Sequence, residues 1–464
     1  MSESSTQPPA PASATTAPVA APAPTAPTPP KVPPKPENPA LRMLGLPKLP
    51  KKLPSRNWLI FWAVTATFTS AIIYDKREKN RATAKWRRAV APLADELLPS
   101  ATQLPRKLTI YLESPPGDSI RVAQDHFIEY VKPVLSSSGL DWEFVQGRQQ
   151  GDVRAAVAEK IRMTRRTTER PDEELPQTDE TLLATMRKRM NVPEYEGVKG
   201  DIVVGRHTWK EYMRGLHEGW LGPLDAPAPP VVEEKPSLPE PTPVVENPSA
   251  DGEATAEKKE EPKKEEKPTR PPQPIPHNTP DDYTSAVVPA QIPAEFSPSA
   301  PIAFPHRLGF RHTFVRLGWF LNRRKLADDI GREVAAACFA AARDFRSADG
   351  QYEQELVLQH EESDWPKSVW KPEVPEKDED GNEKPIPFKE KIWTSPIVTD
   401  DRIVTRMRRF EMQPEDEARA AKVVVPEEEV EGWIKGSLRS MWRWGASSLA
   451  SKPKGPNVGN LDDE

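Results

Sequence analysis

The stretch Trp58–Tyr74, WLIFWAVTATFTSAIIY, contains no charged side chain, and basic residues flank it on both sides. Hydrocarbon provides no water to the backbone, so an uncharged run this long must be helical to cross a bilayer. The run lies at the short end of the spanning range of about 17–25 residues, and Trp58, Trp62 and Tyr74 place amphipathic rings near its ends. The sequence therefore predicts one transmembrane helix at residues 57–75. A buried core helix is the alternative.

The composition restricts the rest of the chain to a few folded segments. Among its 464 residues, 56 are proline, and these concentrate in two tracts that resemble linkers rather than a core. The net charge is -5, with 65 Lys and Arg against 70 Asp and Glu, so the chain has no overall field to attract nucleic acid. The single cysteine, Cys338, excludes an intramolecular disulfide and a cysteine metal cluster. Its apolar surroundings favour an inert core residue over a reactive thiol.

The proline tracts and the anchor define the predicted segments. They are a disordered Pro- and Ala-rich tail at 1–54, the transmembrane helix at 57–75, a juxtamembrane helix at 76–103, an α/β domain at 104–224, a Pro-rich charged linker at 225–303, a second α+β half at 304–450 and a disordered tail at 451–464. The first basic residue is Lys31 and the first arginine is Arg42, unlike an arginine-rich transit peptide. Any targeting signal is therefore expected to be internal.

Residues 104–224 contain strands that alternate with helices. The segments Lys107–Leu112, Trp142–Val145 and Asp201–Val204 have the length and composition of buried strands. Apolar residues three and four apart predict a helix after Asp118, which Pro133 should end or kink, and further helices at Asp152–Thr168, Thr181–Met190 and His207–Trp220. This order favours a parallel sheet covered by helices, so the predicted fold class is α/β.

Residues 304–450 are expected to form the second half, which ends in an amphipathic helix. The spacing of Leu326, Ile330 and Val334 predicts a helix at Leu326–Phe345. The other predicted elements are strands at Glu355–Gln359 and Arg402–Met412, a charged loop at Glu376–Lys384 between them, and a final helix at Pro426–Ala450. Pro426 suits the first position of that helix because its missing N–H would have no partner there.

The second half opens with Phe304–Lys325, FPHRLGFRHTFVRLGWFLNRRK, in which basic and aromatic residues alternate without any acidic residue. Such interleaving suits a membrane surface, an acidic partner or a nucleic acid, and nucleic acid is the least favoured. The structural alternative is an element that buries its aromatic rings and exposes its arginines. The candidate membrane or partner surface consists of Arg307, Arg311, Phe314, Arg316, Trp319, Phe320, Arg323 and Arg324.

The motifs of common catalytic sites are absent from the sequence. It contains no HExxH, no Walker A run and no GxSxG elbow. Gly117-Asp118-Ser119-Ile120 resembles the first block of the Gly-Asp-Ser-Leu esterases, but the late Asp-x-x-His that would activate the serine is missing. A turn with an N-cap is the better interpretation, so we predict no catalytic residue, no metal site and no cofactor.

The segment Asp201–Leu216, DIVVGRHTWKEYMRGL, resembles the glycine-rich turn of diacylglycerol kinases and their relatives. The matching residues are Gly205, Thr208, Glu211, Gly215 and Leu216. The turn is shorter than the family's by one residue, and Arg206 and His207 place bulk where the nucleotide should lie. The resemblance implies a degenerate diacylglycerol-kinase-like fold that has lost its catalytic turn. A membrane-anchored lipid or nucleotide enzyme of that class is the alternative function.

Longer blocks carry a second resemblance. They are SRNWLIFWAVTATFTSAIIYDKREKNR at 55–81, YLESPPGDSIRVAQDHFIEYVKPVL at 111–135, DWEFVQGRQQGDVRAAVAEKIR at 141–162, DIVVGRHTWKEYMRGLHEGWLGPL at 201–224 and FLNRRKLADDIGREVAAACFAAARDF at 320–345. The chain resembles the Tim fifty-four family, the large accessory subunits of the carrier translocase of the fungal mitochondrial inner membrane. The proline tracts take no part in this resemblance.

The resemblance implies a non-enzymatic scaffold subunit that stabilises the translocase and docks small chaperones delivering carrier proteins. The implied partners are the channel subunit, the small intermembrane-space chaperones and inner-membrane lipid, without nucleic acid. It also implies a single-pass inner-membrane protein with its bulk in the intermembrane space. Positive charge near the anchor is heavier on its C-terminal side, which by the positive-inside tendency would place that bulk in the matrix. We follow the resemblance, because large domains translocate largely regardless of charge.

Overall fold

A computed structural model describes residues 55–172, 179–227, 273–365 and 390–449. The predicted tails at 1–54 and 451–464, most of the predicted linker and the charged loop Glu376–Lys384 lie outside these ranges. The chain divides into two units, Met1–Val64 and Thr65–Glu464. The described residues of the first unit lie in one helix, and the folded body belongs to the second.

The N-terminal helix α1, Arg56–Val90, continues from the apolar stretch into the basic segment without interruption. It is the one helix in the described ranges that is long and apolar enough to cross a membrane, and none of its apolar window is buried. Its buried residues begin at Asp75. The prediction of a long N-terminal apolar helix is confirmed, and the predicted juxtamembrane segment is the second part of this helix, followed by a 3₁₀ turn at Ala91–Asp95 that contains Pro92.

The sheet is mixed and mostly parallel. The strands are β1 Lys107–Glu113, β2 Asp141–Gly147, β3 Gly200–Val204, β4 Ser299–Ile302, β5 Ala342–Asp344, β6 Ser347–Ala348, β7 Gln351–Tyr352 and β8 Arg408–Phe410. Within the described ranges, six of them form one sheet in the order β2–β1–β3–β4–β8–β5, and β6 pairs with β7 separately. Within the six-stranded sheet, neighbouring strands are parallel except β5, which runs antiparallel to β8, and the separate pair β6–β7 is antiparallel.

Helices cover both faces of this sheet. Their bounds are α2 Ile120–His126, α3 Lys132–Ser137, α4 Asp152–Glu169, α5 Asp179–Arg189, α6 Arg206–Leu221, α7 Thr313–Phe320, α8 Arg323–Phe339, α9 Glu353–Leu356, α10 Asp401–Val404, α11 Pro414–Ala421, α12 Glu427–Val430 and α13 Trp433–Leu449. A π-helical turn, Phe127–Val131, joins α2 to α3, so the helix continues past Pro133. Successive side chains of a strand point to opposite faces, which divides the core in two. Leu108 and Ile110 pack with α8 on one face, whereas Tyr111 packs with α4 and α6 on the other.

The sheet contains strands from both of the predicted folded segments. β4 lies at the end of the predicted linker and pairs with β3, while β8 and β5 come from the predicted second half. β4 is short and contains Pro301, which cannot donate a ladder hydrogen bond, so its sequence lacks a strand signature. Tertiary pairing with β3 compensates for the weak local preference.

Several predicted elements in the C-terminal part differ from the structure. The helix predicted to reach Phe345 ends at Phe339, because Ala340 adopts a left-handed conformation and Ala342–Asp344 pairs with β8 instead. The predicted strand Glu355–Gln359 is wrong: α9 and a 3₁₀ turn, Gln359–Asp364, occupy this region. The alternating pattern there reflects burial of Val357 in the core rather than a strand.

Two further predictions there are correct only in part. The predicted strand Arg402–Met412 contains α10 as well as β8, because the Asp400 carboxylate caps α10 by accepting the Arg402 N–H. The final helix, predicted as continuous over Pro426–Ala450, is divided into α12 and α13 around Gly432. Glycine weakens a helix interior, which explains a break at that position.

Candidate functional site

The candidate membrane surface lies where α1 leaves its apolar stretch. The carboxylate of Asp75, a buried residue, accepts hydrogen bonds from the backbone N–H groups of Arg323 and Arg324, at 3.2 and 3.4 Å. These are the first residues of α8, which has no side-chain cap of its own. The first N–H groups of a helix lack intrahelical partners and attract negative charge. Asp75 therefore attaches the start of α8 to the end of the apolar run.

A second contact between α1 and α8 fixes their relative direction. The Trp86 indole donates a hydrogen bond of 2.7 Å to Asp328, and its ring lies so close to Gly331 that a Cβ there would be 2.3 Å from Trp86 Cδ1. The contacts follow the same order along both helices, from Asp75 near Arg323 to Trp86 near Gly331. The two helices therefore run in the same direction, and α8 begins beside the end of the apolar stretch of α1.

The short helix α7 precedes α8 and exposes apolar side chains. Phe310, in the 3₁₀ turn before it, is 90 % exposed and Phe314 is 84 % exposed. Val315, Leu317 and Phe320 are also exposed to a lesser degree. Exposed apolar side chains in a contiguous group mark an interaction surface. The alternative prediction is that the segment 304–325 buries its aromatic rings. Among the phenylalanines of this segment, only Phe304 is buried.

The structure brings the predicted surface residues together around α7. Arg311 and Arg316 are exposed, and the Arg316 guanidinium lies 3.5 Å from the Thr313 hydroxyl. The remaining arginines make ring or ion contacts: Arg307 lies 5.9 Å from the Trp319 ring, Arg323 lies 5.0 Å from the Phe320 ring and 3.4 Å from Glu129, and Arg324 lies 5.1 Å from the Tyr74 ring. The guanidinium groups thus surround the aromatic side chains.

A second exposed aromatic face lies on α13. Met441, Trp442 and Trp444 are 64 %, 79 % and 73 % exposed. The preceding α12 contacts the basic segment of α1, because Glu427 forms ion pairs with Arg77 and Arg81. The amphipathic pattern predicted this final helix, but no local pattern relates α12 to α1.

The turn that resembles a nucleotide site is filled by the chain itself. Gly205 adopts a φ of +90° at the end of β3, and α6 begins directly after it. The Glu361 carboxylate accepts hydrogen bonds from the backbone N–H of Arg206 at 2.9 Å and from that of Phe304 at 2.6 Å. A helix N-terminus of this kind is where a phosphate binds in nucleotide folds. Here a carboxylate of the chain occupies that position.

Two other residues that match the glycine-rich turn have structural roles. The Glu211 carboxylate caps α4 by accepting hydrogen bonds from the backbone N–H groups of Gly151, Val153 and Arg154, at 2.7, 3.1 and 3.2 Å. Gly215 allows α4 and α6 to pack closely, since a Cβ there would lie 2.7 Å from the Arg154 carbonyl oxygen. Thr208 is fully buried. The cap made by Glu211 and the close packing at Gly215 explain these two matching residue types without a ligand.

Two buried carboxyl groups meet beneath the turn. Glu113, at the end of β1, is fully buried beside Glu211. Burial raises the pKa of Glu113 well above its ordinary value, and the neighbouring Glu211 charge raises it further. In its neutral form Glu113 adds no second negative charge beside Glu211. Both side chains are inaccessible to solvent, so neither carboxyl is exposed to a ligand at the surface.

A buried ion network joins α4 to α6. Arg154 and Glu218 form an ion pair with both side chains fully buried, and Arg162 lies 3.1 Å from the same carboxylate. A nearby cleft of about 210 Å³, lined by Lys210, Tyr283 and other residues, is smaller than the roughly 300–1,000 Å³ of typical ligand pockets. This face of the sheet therefore holds paired charges and a small cleft.

Comparison with known proteins identifies the family. Residues 38–410 match the family model described as inner membrane protein import complex subunit Tim54. A Neurospora crassa protein named mitochondrial import inner membrane translocase subunit tim54 is 54 % identical over 429 residues, covering 89 % of each chain. Proteins with the same name from Aspergillus oryzae and Schizosaccharomyces pombe are 42 % and 31 % identical, covering 90 % and 76 % of this chain and 99 % and 93 % of theirs. The chain belongs to the Tim54 family of inner membrane protein import complex subunits.

Proposed function

We propose that this protein is a non-catalytic scaffold subunit of the mitochondrial inner-membrane translocase that inserts multi-spanning carrier proteins. Its partners would be the channel subunit and the small intermembrane-space chaperones, and its folded body would lie in the intermembrane space. The observation that carries the proposal is the attachment of the α/β body to the membrane end of α1 through Asp75 and Trp86. A body held in this way can position partners at a fixed distance from the bilayer.

The filled turn supports a role without catalysis. Glu361 occupies the N-terminus of α6, and the side chains of Arg206 and Lys210 pair with Glu362 beside it. A nucleotide phosphate would have to displace a buried carboxylate and break these pairs. The names of the relatives, translocase subunits of the mitochondrial inner membrane, agree with an assembly role.

Purification from mitochondria in mild detergent tests the assembly role. We expect tagged protein to co-purify with the channel subunit and the small chaperones, and a monomer free of partners would contradict the scaffold. A variant with Trp442→Ala and Trp444→Ala tests whether the exposed face of α13 binds one of these partners. Leu97→Ala, at another exposed apolar residue, is the matched control.

Protease treatment tests the orientation. We expect the body to resist protease in intact mitochondria and to be digested in mitoplasts, whose outer membrane is open. Protection in mitoplasts would place the body in the matrix, as the charge asymmetry around the anchor favours.

The alternative function is a lipid or nucleotide enzyme of the diacylglycerol-kinase-like class. It predicts saturable ATP binding by the full-length protein that is lost on Gly205→Trp. We expect no saturation at millimolar ATP, because the phosphate position at the start of α6 is filled by Glu361. Saturable binding that depends on Gly205 would favour the enzyme over the scaffold.

A further inference from the structure

The segment around α7 exposes apolar side chains at the place where the bilayer should end. Phe310 and Phe314 are among the most exposed large apolar residues of the described chain, and Val315, Leu317 and Phe320 extend the same group. Helix α7 has no buried residue. Its apolar side chains therefore contribute little to the core of this chain, and another environment must cover them.

The position of α7 identifies that environment. Only Leu321 and Asn322 separate α7 from α8, and Asp75 holds the first turn of α8 at the end of the apolar stretch of α1. The Arg324 guanidinium lies over the Tyr74 ring, the last ring of that stretch. When α1 spans a bilayer, α7 consequently lies at the level of the headgroups.

The charge of the segment agrees with that position. No acidic residue occurs between Phe296 and Ala327, and Arg311 and Arg316 are exposed beside the phenylalanines. Interfacial helices combine aromatic side chains, which enter the boundary between headgroups and acyl chains, with basic side chains that attract anionic headgroups. An acidic protein surface would satisfy the arginines, but it would not explain the placement of the phenylalanines level with the end of the transmembrane run.

We infer that residues 310–320 form an interfacial membrane contact, in which Phe310 and Phe314 enter the bilayer surface and Arg311 and Arg316 bind the phosphates of anionic phospholipid. The contact, together with α1, holds the body at two points of one membrane and so restricts its rotation about α1. This inference requires only lipid, and it stands or falls independently of the translocase partners.

Lipid quenching in proteoliposomes tests the contact. The full-length protein carries Phe314→Cys labelled with an environment-sensitive fluorophore, in vesicles of phosphatidylcholine with about one fifth cardiolipin and brominated acyl chains. The control is Val424→Cys. Val424 is 82 % exposed, and its carbonyl oxygen accepts a hydrogen bond from Arg88. Arg88 lies about 20 Å beyond Asp75 along α1, at roughly 1.5 Å per residue. Labelling of the unsubstituted chain measures the background from Cys338, which is buried.

We expect brominated lipid to quench the label at residue 314 strongly and the label at residue 424 weakly. Equal quenching at the two positions would overturn the inference. Shielding of residue 314 that appears in the purified translocase but not in lipid vesicles would also overturn it, because a protein would then cover α7.

A charge-reversed variant tests the headgroup. Arg311→Glu with Arg316→Glu, added to the labelled Phe314→Cys chain, should reduce quenching in cardiolipin vesicles and leave it nearly unchanged in vesicles of phosphatidylcholine alone. An unchanged thermal midpoint would show that the exposed substitutions preserve the fold. Equal quenching of both chains in cardiolipin vesicles would contradict the binding of anionic phosphate by these arginines.

Discussion

The Asp75 carboxylate lies 3.2 Å from the backbone nitrogen of Arg323, although 248 positions separate the two residues in sequence. This hydrogen bond joins the end of the apolar stretch to the first turn of the helix that packs on the sheet. Tyr74, Asp75 and Arg324 meet at the same point. The relationship explains how the folded body is held to its anchor.

Asp75→Ala should destabilise the body. The substitution removes the carboxylate that accepts hydrogen bonds from the backbone N–H groups of Arg323 and Arg324, and loss of a helix N-cap costs about 0.5–2 kcal/mol. We expect a lower thermal midpoint in detergent, measured by circular dichroism. Asp95→Ala, at an exposed position, should change the midpoint little. Equal effects of the two substitutions would contradict the capping role.

Gly215→Ala should destabilise the packing of α4 on α6. An added Cβ would lie 2.7 Å from the Arg154 carbonyl oxygen and 2.8 Å from Val157 Cβ, and overpacking of this kind costs about 1–3 kcal/mol. Urea titration of the purified protein measures the effect. The control is Gly318→Ala in α7, where no atom lies within 4 Å of the new Cβ, so the helix should gain up to about 1 kcal/mol. An unchanged urea midpoint for Gly215→Ala would indicate that the helices can separate.

Glu218→Gln should destabilise the protein more than a surface substitution does. Arg154 and Arg162 both pair with this buried carboxylate, and removal of one member of a buried ion pair costs about 3–5 kcal/mol because the remaining charge is unpaired. The comparison is Asp225→Asn, which breaks an exposed pair with Arg170. The thermal midpoint should fall markedly for the first variant and hardly at all for the second. Similar midpoints would show that water or neighbouring groups replace Glu218.

Stability should depend on pH through Glu361. Burial raises the pKa of this carboxyl from its ordinary value of 4.5 to about 7. Between these two pH values the folded state binds a proton that the unfolded chain has released. The contribution of Glu361 to the free energy of unfolding is therefore complete below the pKa of the unfolded chain. It is lost as the pH rises through the pKa of the folded state. As the pH rises across this window, the free energy of unfolding of Glu361→Gln should increase by roughly 3 kcal/mol relative to that of the native chain, because the amide stays neutral.

Urea midpoints of both chains, measured on either side of this window, check the prediction. The difference between the midpoints of Glu361→Gln and the native chain should grow with pH. Glu415→Gln, which changes an exposed carboxyl, should follow the native profile. Parallel profiles for all three chains would show that Glu361 titrates near its ordinary value.

Part of the candidate site was predictable from the sequence. The alternation of basic and aromatic residues placed Arg311, Phe314 and Arg316 in a candidate surface, because no acidic residue is near them in sequence. Asp75 and Glu361 were not identified. Each carboxylate caps a helix that begins far away in the chain, and no local pattern specifies such a contact. The acid that directly follows the apolar run, at Asp75, was the one available signal.

The sequence by itself determined the elements whose signal is local. The uncharged run at Trp58–Tyr74 produced the apolar helix, and the apolar segments at Lys107–Leu112 and Asp201–Val204 produced parallel strands. Tertiary structure decided the elements with weak or ambiguous local preference, such as β4 with its proline and the segment after Phe339. Pairing in a sheet stabilises residues through partners that are distant in sequence, so local periodicity cannot reveal it. The same reason explains why only the fold could place the start of α8, and α7 directly before it, beside the end of the apolar stretch.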